Sequence, residues 1–236
     1  MEKGLQAKFI AKRIAGELKF GDFVNLGVGL PTAVSDYVDS DRGILFQGEN
    51  GVIGLGKAAF NVIDSFSAKS GAPADETLVI NAGCTKTSIN PGASFFDSAT
   101  SFGLIRGGHV DVTVLGTLQV DQEGNIANYI IPGKMIAGMG GAMDLCVGCP
   151  KVIVATYHTS KGNPKIIEKC TLPLTAPKAV NTIVSEMGVF DITPEGIKMR
   201  EYNPEYTIKE IKAATGCKLI VPDDVPTTPE EYFENL

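Results

Sequence analysis

The chain has 236 residues, 44% of them apolar, and a formal net charge of −6. That is enough for a sizeable core in one domain or two small ones, and it excludes the basic stripe of a nucleic-acid binder. No apolar run reaches the roughly 18 residues of a membrane span, and Met1-Glu2-Lys3-Gly4 opens an amphipathic pattern rather than a signal peptide, so a cytoplasmic protein without membrane or nucleic-acid partners is expected.

Leu5, Phe9, Ile14 and Leu18 fall near helical spacing among charged residues and predict an amphipathic first helix ending near Gly21. Phe23 to Leu26 reads as a buried strand, and Gly27-Val28-Gly29-Leu30-Pro31-Thr32 as a glycine turn into a helix with Pro31 in its first turn. Such a turn suits an anion or oxyanion, but the third glycine of a dinucleotide fingerprint is missing, so no NAD site is expected.

Ile44 to Gly54 is the most informative stretch. An apolar run that reads as a strand stops at Gly48, and Glu49, Asn50 and Gly51 follow. Glycines at 48 and 51 let another backbone or a ligand come close to Glu49. The competing reading is an ordinary surface turn.

Lys57 to Glu76 reads as loops with a short helix, and Leu78 to Asn81 as a strand. Pro91-Gly92-Ala93-Ser94 leads into a predicted helix through Phe95, Phe96, Phe102 and Leu104 that ends at Arg106-Gly107-Gly108. Val110 to Leu115 is a strand. Leu118 to Val120 and Ile126 to Ile130 flank Asp121-Gln122-Glu123-Gly124-Asn125, a hairpin signal. Gly133 to Asp144 is a second glycine-rich passage that runs into a helix through Leu145.

Lys151 to Thr156 is a buried strand, Ile183 to Ile192 and Ile197 to Tyr202 paired strands, Thr207 to Thr215 a helix and Lys218 to Val221 a last strand. Alternating strands and helices predict an α/β fold: a single domain over residues 1–221 around a mostly parallel sheet with a β-hairpin excursion, then an acidic, loosely held tail over 222–236.

Five cysteines form an odd set without disulfide spacing, as expected of reduced thiols. Cys146 and Cys149 have Cys-x-x-Cys spacing, but no second pair follows and His109 and His158 stand alone. The two thiols read as small buried hydrophobes, and no metal is expected.

Several phrases in fixed order resemble the type I coenzyme A transferases, specifically the β subunit of the 3-oxoacid or butyrate–acetoacetate group. They are Asn25-Leu26-Gly27-Val28-Gly29-Leu30-Pro31-Thr32, Glu49-Asn50-Gly51, Pro91 to Ala99, Ile105 to Asp111, Ile131 to Lys134 and Gly138 to Leu145, spread from residue 25 to 145. The resemblance implies a CoA-transferase-like fold, with Glu49 as the nucleophile that carries coenzyme A as a thioester. Coenzyme A is then substrate and covalent intermediate, with no tightly bound cofactor. Gly48 stands where the family usually has serine.

The oxyanion of each addition needs backbone donors, and the glycine passages point to the N–H groups of Val28 and of Gly140 or Gly141. The competing reading is that these glycines only permit tight turns. Asn50 either orients Glu49 or accepts an unusual backbone conformation. Gly27, Gly29 and Gly51 belong to substrate binding, and Arg106 and Lys134 face a substrate carboxylate or coenzyme A phosphates unless they are solvated charges. His109 is structural, since acyl exchange between carboxylates needs no proton transfer.

In that family the coenzyme A handle is held mainly by an α subunit or domain, so an obligate partner in an α2β2 or larger hetero-oligomer is implied. A coenzyme A hydrolase, a related α/β isomerase and a non-catalytic scaffold subunit are the alternatives.

Overall fold

In the computed structural model, residues 1–58, 79–84, 86–136, 138–234 and 236 are described. The loops and short helix expected after Lys57 lie outside them from residue 59 onward.

Helix α1 (Lys3–Ala15) buries Phe9, Ile10 and Ile14 completely. It stops at Gly16, earlier than expected, because the Tyr232 ring lies where a side chain at 16 would go and glycine leaves a helix at little cost. Leu18 stays buried from the turn that follows.

The chain next forms β1 (Phe23–Leu26), β2 (Leu45–Gly48), β3 (Val52–Ala58), β4 (Val79–Ile80), β5 (Lys86–Phe95) and β6 (Val112–Gly116). Short strands come next: β7 (Gln119–Asp121), β8 (Ile126–Ala127), β9 (Ile130–Ile131) and β10 (Met135–Ile136). After β11 (Lys151–Ala155) come β12 (Thr159–Ser160), β13 (Asn163–Pro164) and β14 (Ile166–Ile167). The last strands are β15 (Thr182–Ser185), β16 (Gly188–Thr193), β17 (Gly196–Tyr202) and β18 (Leu219–Ile220). Helices α2 (Ser98–Arg106), α3 (Ala142–Gly148) and α4 (Ile208–Ala214) lie between them.

Eleven strands make one sheet, in the order β18-β17-β16-β15-β11-β6-β1-β2-β3-β5-β4. The five central strands, β15 to β2, are parallel to one another, and antiparallel pairings extend both flanks. Alternate residues of the central strands serve two cores, as a sheet covered on both faces requires. Val114 and Ile153 pack with Phe9 and Ile14 of α1, while Leu115, Val152 and Val154 pack with Ile105 of α2 and Leu145 of α3.

From β1 the chain steps outward to β2, then crosses to β6 on the other side of β1. Strand order reverses there, and a crevice opens beyond the carboxyl ends of β1 and β6. Open α/β sheets bind ligands at such a point.

Three sequence expectations give way to the structure. Pro91 to Phe95 is strand, not the start of a helix: among the described residues, β5 beyond Thr87 pairs only with β3, and a side without such a pairing tolerates proline. Helix α2 starts later, where the Asp97 carboxylate accepts the Thr100 N–H at 2.7 Å. The expected strand from Ile183 to Ile192 is itself a hairpin, turned at Glu186-Met187, where Gly188 (φ 148°) lies against the Glu201 carbonyl. The tail from Pro222 is docked rather than loose. Phe233 stacks on Phe9 with centroids 5.0 Å apart, Lys12 Nζ donates to the carbonyls of Glu231 and Glu234, and the Thr228 N–H donates to the Tyr202 carbonyl at 2.8 Å.

Because the tail covers apolar surface of α1, Phe233→Ala is expected to lower unfolding free energy by roughly 2 kcal/mol, measured by urea denaturation. A loss indistinguishable from zero would mean that the tail adds nothing to the core.

Candidate active site

Glu49 stands in the turn between β2 and β3, at the carboxyl end of a central strand. The Gly51 N–H donates to the Gly48 carbonyl at 2.9 Å and closes the turn. Gly51 has φ 110° and sits against the Phe96 carbonyl so closely that any Cβ would collide with it, while the Phe96 N–H donates to the Gly51 carbonyl at 3.0 Å. Only glycine fits there.

The Asn50 amide is engaged at β4: its Nδ2 donates to the Ile80 carbonyl at 2.8 Å, tying the turn to that strand. Its Oδ1 lies 2.5 Å from where a Cβ at Gly48 would stand, so in this conformation the Asn50 amide occupies the space a serine side chain at 48 would need.

Beneath the turn a buried polar chain fixes β2. Asn25 Nδ2 donates to Gln47 Oε1 at 3.2 Å, and Gln47 Nε2 donates to Ser101 Oγ of α2 at 2.9 Å. A slip of β2 would leave these amides unpaired in the core, which costs about 1–3 kcal/mol for each such group.

The three glycine passages meet in an open cleft of about 430 Å³. Gly27 and Val28 line it beyond β1, Glu49 beyond β2, and Gly138 to Gly141 from the passage before α3. The Gly27 N–H continues the sheet to the Val114 carbonyl at 2.8 Å, and Gly29 (φ 83°) turns the chain into a 3₁₀ helix, Leu30–Tyr37.

The Gly141 N–H donates to Glu49 Oε1 at 3.3 Å. A Cβ on Gly141 would lie 2.9 Å from both Cδ and Oε2 of that carboxylate, so the backbone approaches it as only glycine can. Burial pushes the Glu49 carboxyl above the usual range; the Gly141 N–H offsets part of this, and the negative charge of Asp144 adds to the rise.

The remaining predicted residues lie elsewhere. Arg106, at the end of α2, is exposed and pairs with Asp144 Oδ1 through Nε at 2.6 Å, outside the cleft lining. Lys134 is exposed in the turn between β9 and β10. His109 is exposed, and His158 is fully buried between Ser185 Oγ (2.9 Å) and Thr215 Oγ1 (2.8 Å), where burial holds it down to about 4. Cys146 and Cys149 are buried, and burial pushes both thiols up to about 12. Among the described residues, no three His, Cys, Asp or Glu side chains gather as a metal site.

Sequence reading missed Ala82, Thr117 and Asn128, which line the cleft. Asn128 Nδ2 holds the Gly116 carbonyl at 3.2 Å, and its Oδ1 accepts from Thr175 Oγ1 at 2.6 Å. The one available signal was the position of Thr117 directly beyond the β6 strand.

An open α/β sheet with a half-buried glutamate at its switch point, and glycine backbone laid against the carboxylate, defines a protein built around one acidic side chain. The coenzyme A transferase family model matches residues 8–214. The β subunit of the acetate CoA-transferase of Haemophilus influenzae is 48% identical over 218 residues, 92% of each chain. A succinyl-CoA:3-ketoacid coenzyme A transferase subunit of Helicobacter pylori (strain J99) is 43% identical over 213 residues, 90% of this chain and 97% of that one. This chain belongs to the coenzyme A transferase family. An acyl-CoA transferase (YdiF) of Escherichia coli O157:H7 shares the fold at a TM-score of 0.73 and 19% identity; the match covers all of this chain and 46% of that one.

A carboxyl raised by folding holds its proton more tightly in the folded chain than in the unfolded one. Ionising Glu49 therefore costs stability; the cost is full above the folded value, shrinks as pH falls, and vanishes below the unfolded value of ~4.3. Glu49→Gln is expected to melt higher than the parent at pH 7–8, with the gap closing toward pH 4. A parent that melts higher at pH 7–8 would contradict this strained charge.

Proposed function

We propose that this chain is the β subunit of a CoA-transferase that moves coenzyme A between an acyl-CoA and a short-chain carboxylic acid of the acetate, acetoacetate or butyrate type. It does so by a ping-pong mechanism through a thioester on Glu49. The observation that carries this reading is the Glu49 carboxylate resting on the Gly141 N–H inside an open cleft.

The chemistry follows from that contact. The carboxylate attacks the thioester carbonyl and expels coenzyme A thiolate, leaving an acyl-glutamyl anhydride. Because the attacking acid has an intrinsic pKa of ~4.3 and the departing thiol one of ~8.5, this step is uphill by several kcal/mol. Contacts along the long coenzyme A handle, remote from the reacting carbon, must supply the difference. The thiolate then attacks the glutamyl carbon of the anhydride, which releases the first acid and leaves glutamyl-CoA. The second acid reverses both steps.

Each addition places negative charge on an oxygen. The N–H groups of Gly141, Gly140 and Val28, on two sides of the cleft, are the donors assigned to it. Gly27, Gly29 and Gly51 bring the backbone close enough for this, and Asn50 holds the turn from β4.

A partner subunit completes the site. Val28, Phe95, Ile80 and Met139 leave large apolar side chains 64, 60, 55 and 44% exposed around the Glu49 turn, the kind of patch that marks an interface. The relatives are named as subunits. An α subunit covering this rim would hold the coenzyme A handle and dry the cleft. The free thiols suit the reducing cytoplasm.

Co-expressed with an α subunit and given acyl-CoA without acceptor acid, the enzyme is expected to carry coenzyme A on Glu49. Borohydride should then inactivate it, with peptide mapping placing the alcohol at residue 49. Glu49→Ala should abolish transfer, and Glu49→Asp should lose about 100-fold, since the carboxylate retreats by about 1 Å. A label on another residue, or near-normal turnover of Glu49→Ala, would sink the assignment. The chain alone should show little activity; high turnover from a verified single-chain preparation would remove the need for a partner.

A further inference from the structure

Asp144 and Arg106 stand just outside the cleft, and the transfer chemistry above gives them no part. Asp144 lies three residues beyond Gly141, the spacing that sets two residues on one face of a helical turn. The Leu145 N–H donates to the Gly141 carbonyl at 3.0 Å, so the residue that holds Glu49 and the first turn bearing Asp144 form one rigid piece. Asp144 is a like charge for Glu49 and disfavours its ionised form. Among the described residues that line the cleft, no side chain besides Glu49 is charged.

Arg106 meets Asp144 from the other side. Its Nε donates to Asp144 Oδ1 at 2.6 Å, and its guanidinium lies 5.6 Å from the Phe102 ring. Helices α2 and α3 press together at Gly148, where a Cβ would strike the Ile105 carbonyl, so the pair spans two elements already in contact. The Asp144 side chain is 26% exposed and that of Arg106 67% exposed, which leaves the pair accessible to solvent and salt.

We propose that Arg106 and Asp144 are positioning residues that set the charge of Glu49: Arg106 masks the Asp144 carboxylate, which would otherwise stand as an open like charge beside the nucleophile. Neither residue touches substrate. Arg106 thus favours the glutamate anion that attacks the thioester, without contributing a contact of its own. This inference rests on Glu49 being the nucleophile.

The test is the pH profile of kcat/KM for acyl-CoA, measured on the complex with the α subunit. Arg106→Gln is expected to move the acid limb to higher pH, with roughly a two- to fivefold loss at the acid end and little change at high pH, as suits one partly exposed charge pair. Added salt should shrink the difference. Asp144→Asn should move the limb the other way. In the Asp144→Asn background, Arg106→Gln should have no further effect, because there is no charge left to mask, and Arg106→Lys should behave as the parent.

Two outcomes would overturn the inference: an even loss at every pH with the limb unmoved, or additive effects in the double variant. Both would describe a plain strut between α2 and α3. Labelling of residue 49 in each variant separates the two levels of argument. A label that leaves Glu49 defeats the proposed mechanism, whereas a label kept on Glu49 with an unmoved limb defeats only the role of this pair.

Discussion

The contact on which the site depends is a single backbone N–H, that of Gly141, held 3.3 Å from Glu49 Oε1. A half-buried carboxylate is costly unless something satisfies its charge. Here the satisfying group is main chain, and it can come so near only because residue 141 has no Cβ. The glycines at 27, 29, 51 and 138 serve the same end: they draw three separate loops into one cleft without filling it with side chains. A donor supplied by backbone also needs no rearrangement when negative charge shifts from the carboxylate to an adjacent oxygen.

Why this glutamate and not another follows from the sheet. Glu49 stands at the carboxyl end of β2, next to β1 and the point where strand order reverses between β1 and β6. The hairpin between β2 and β3 carries it outward. Gln47 and Asn25 lock the strand behind it by hydrogen bonds that a one-residue slip would break, and such a slip would turn every side chain of β2 to the wrong face. The Gly51 contact with the Phe96 carbonyl fixes the hairpin from its far side, and Asn50 ties it to β4. The Glu49 turn is therefore held from three directions, none of which touches the carboxylate.

The central strands and the role of Glu49 as a presented carboxylate were readable from the sequence, because buried parallel strands are short apolar runs and Phe23–Leu26 and Lys151–Ala155 are clear examples. The convergence of the glycine passages followed from resemblance, not from their spacing. What failed, failed for local reasons. Pro91-Gly92 looked like the opening of a helix because proline suits a first turn; that β5, among the described residues, pairs there only with β3 is a tertiary fact. Glu186-Met187 carries no turn dipeptide, so a hairpin passed for one strand. Thr117 and Asn128 were missed because ordinary polar residues gain their meaning only from lying beside a cleft.

In the proposed mechanism, closing the cleft acts on Glu49 in two ways. In the open chain, burial already favours the protonated form, yet attack requires the anion. Covering the apolar rim removes more water, which raises that cost and at the same time strengthens each N–H donor facing the carboxylate. The two effects pull against each other on the resting carboxylate. In the proposed mechanism the charge then passes to the oxyanion of an adduct, which drying penalises as it did the carboxylate but which the same N–H donors can meet. On that reading, drying the site favours the adduct over the resting anion only to the extent that the donors are fixed where the oxyanion forms. A backbone N–H fixed by glycine geometry, as at Gly141, suits that condition on the proposed assignment, whereas a longer, flexible cation would supply more attraction to the resting anion and less to the step that matters.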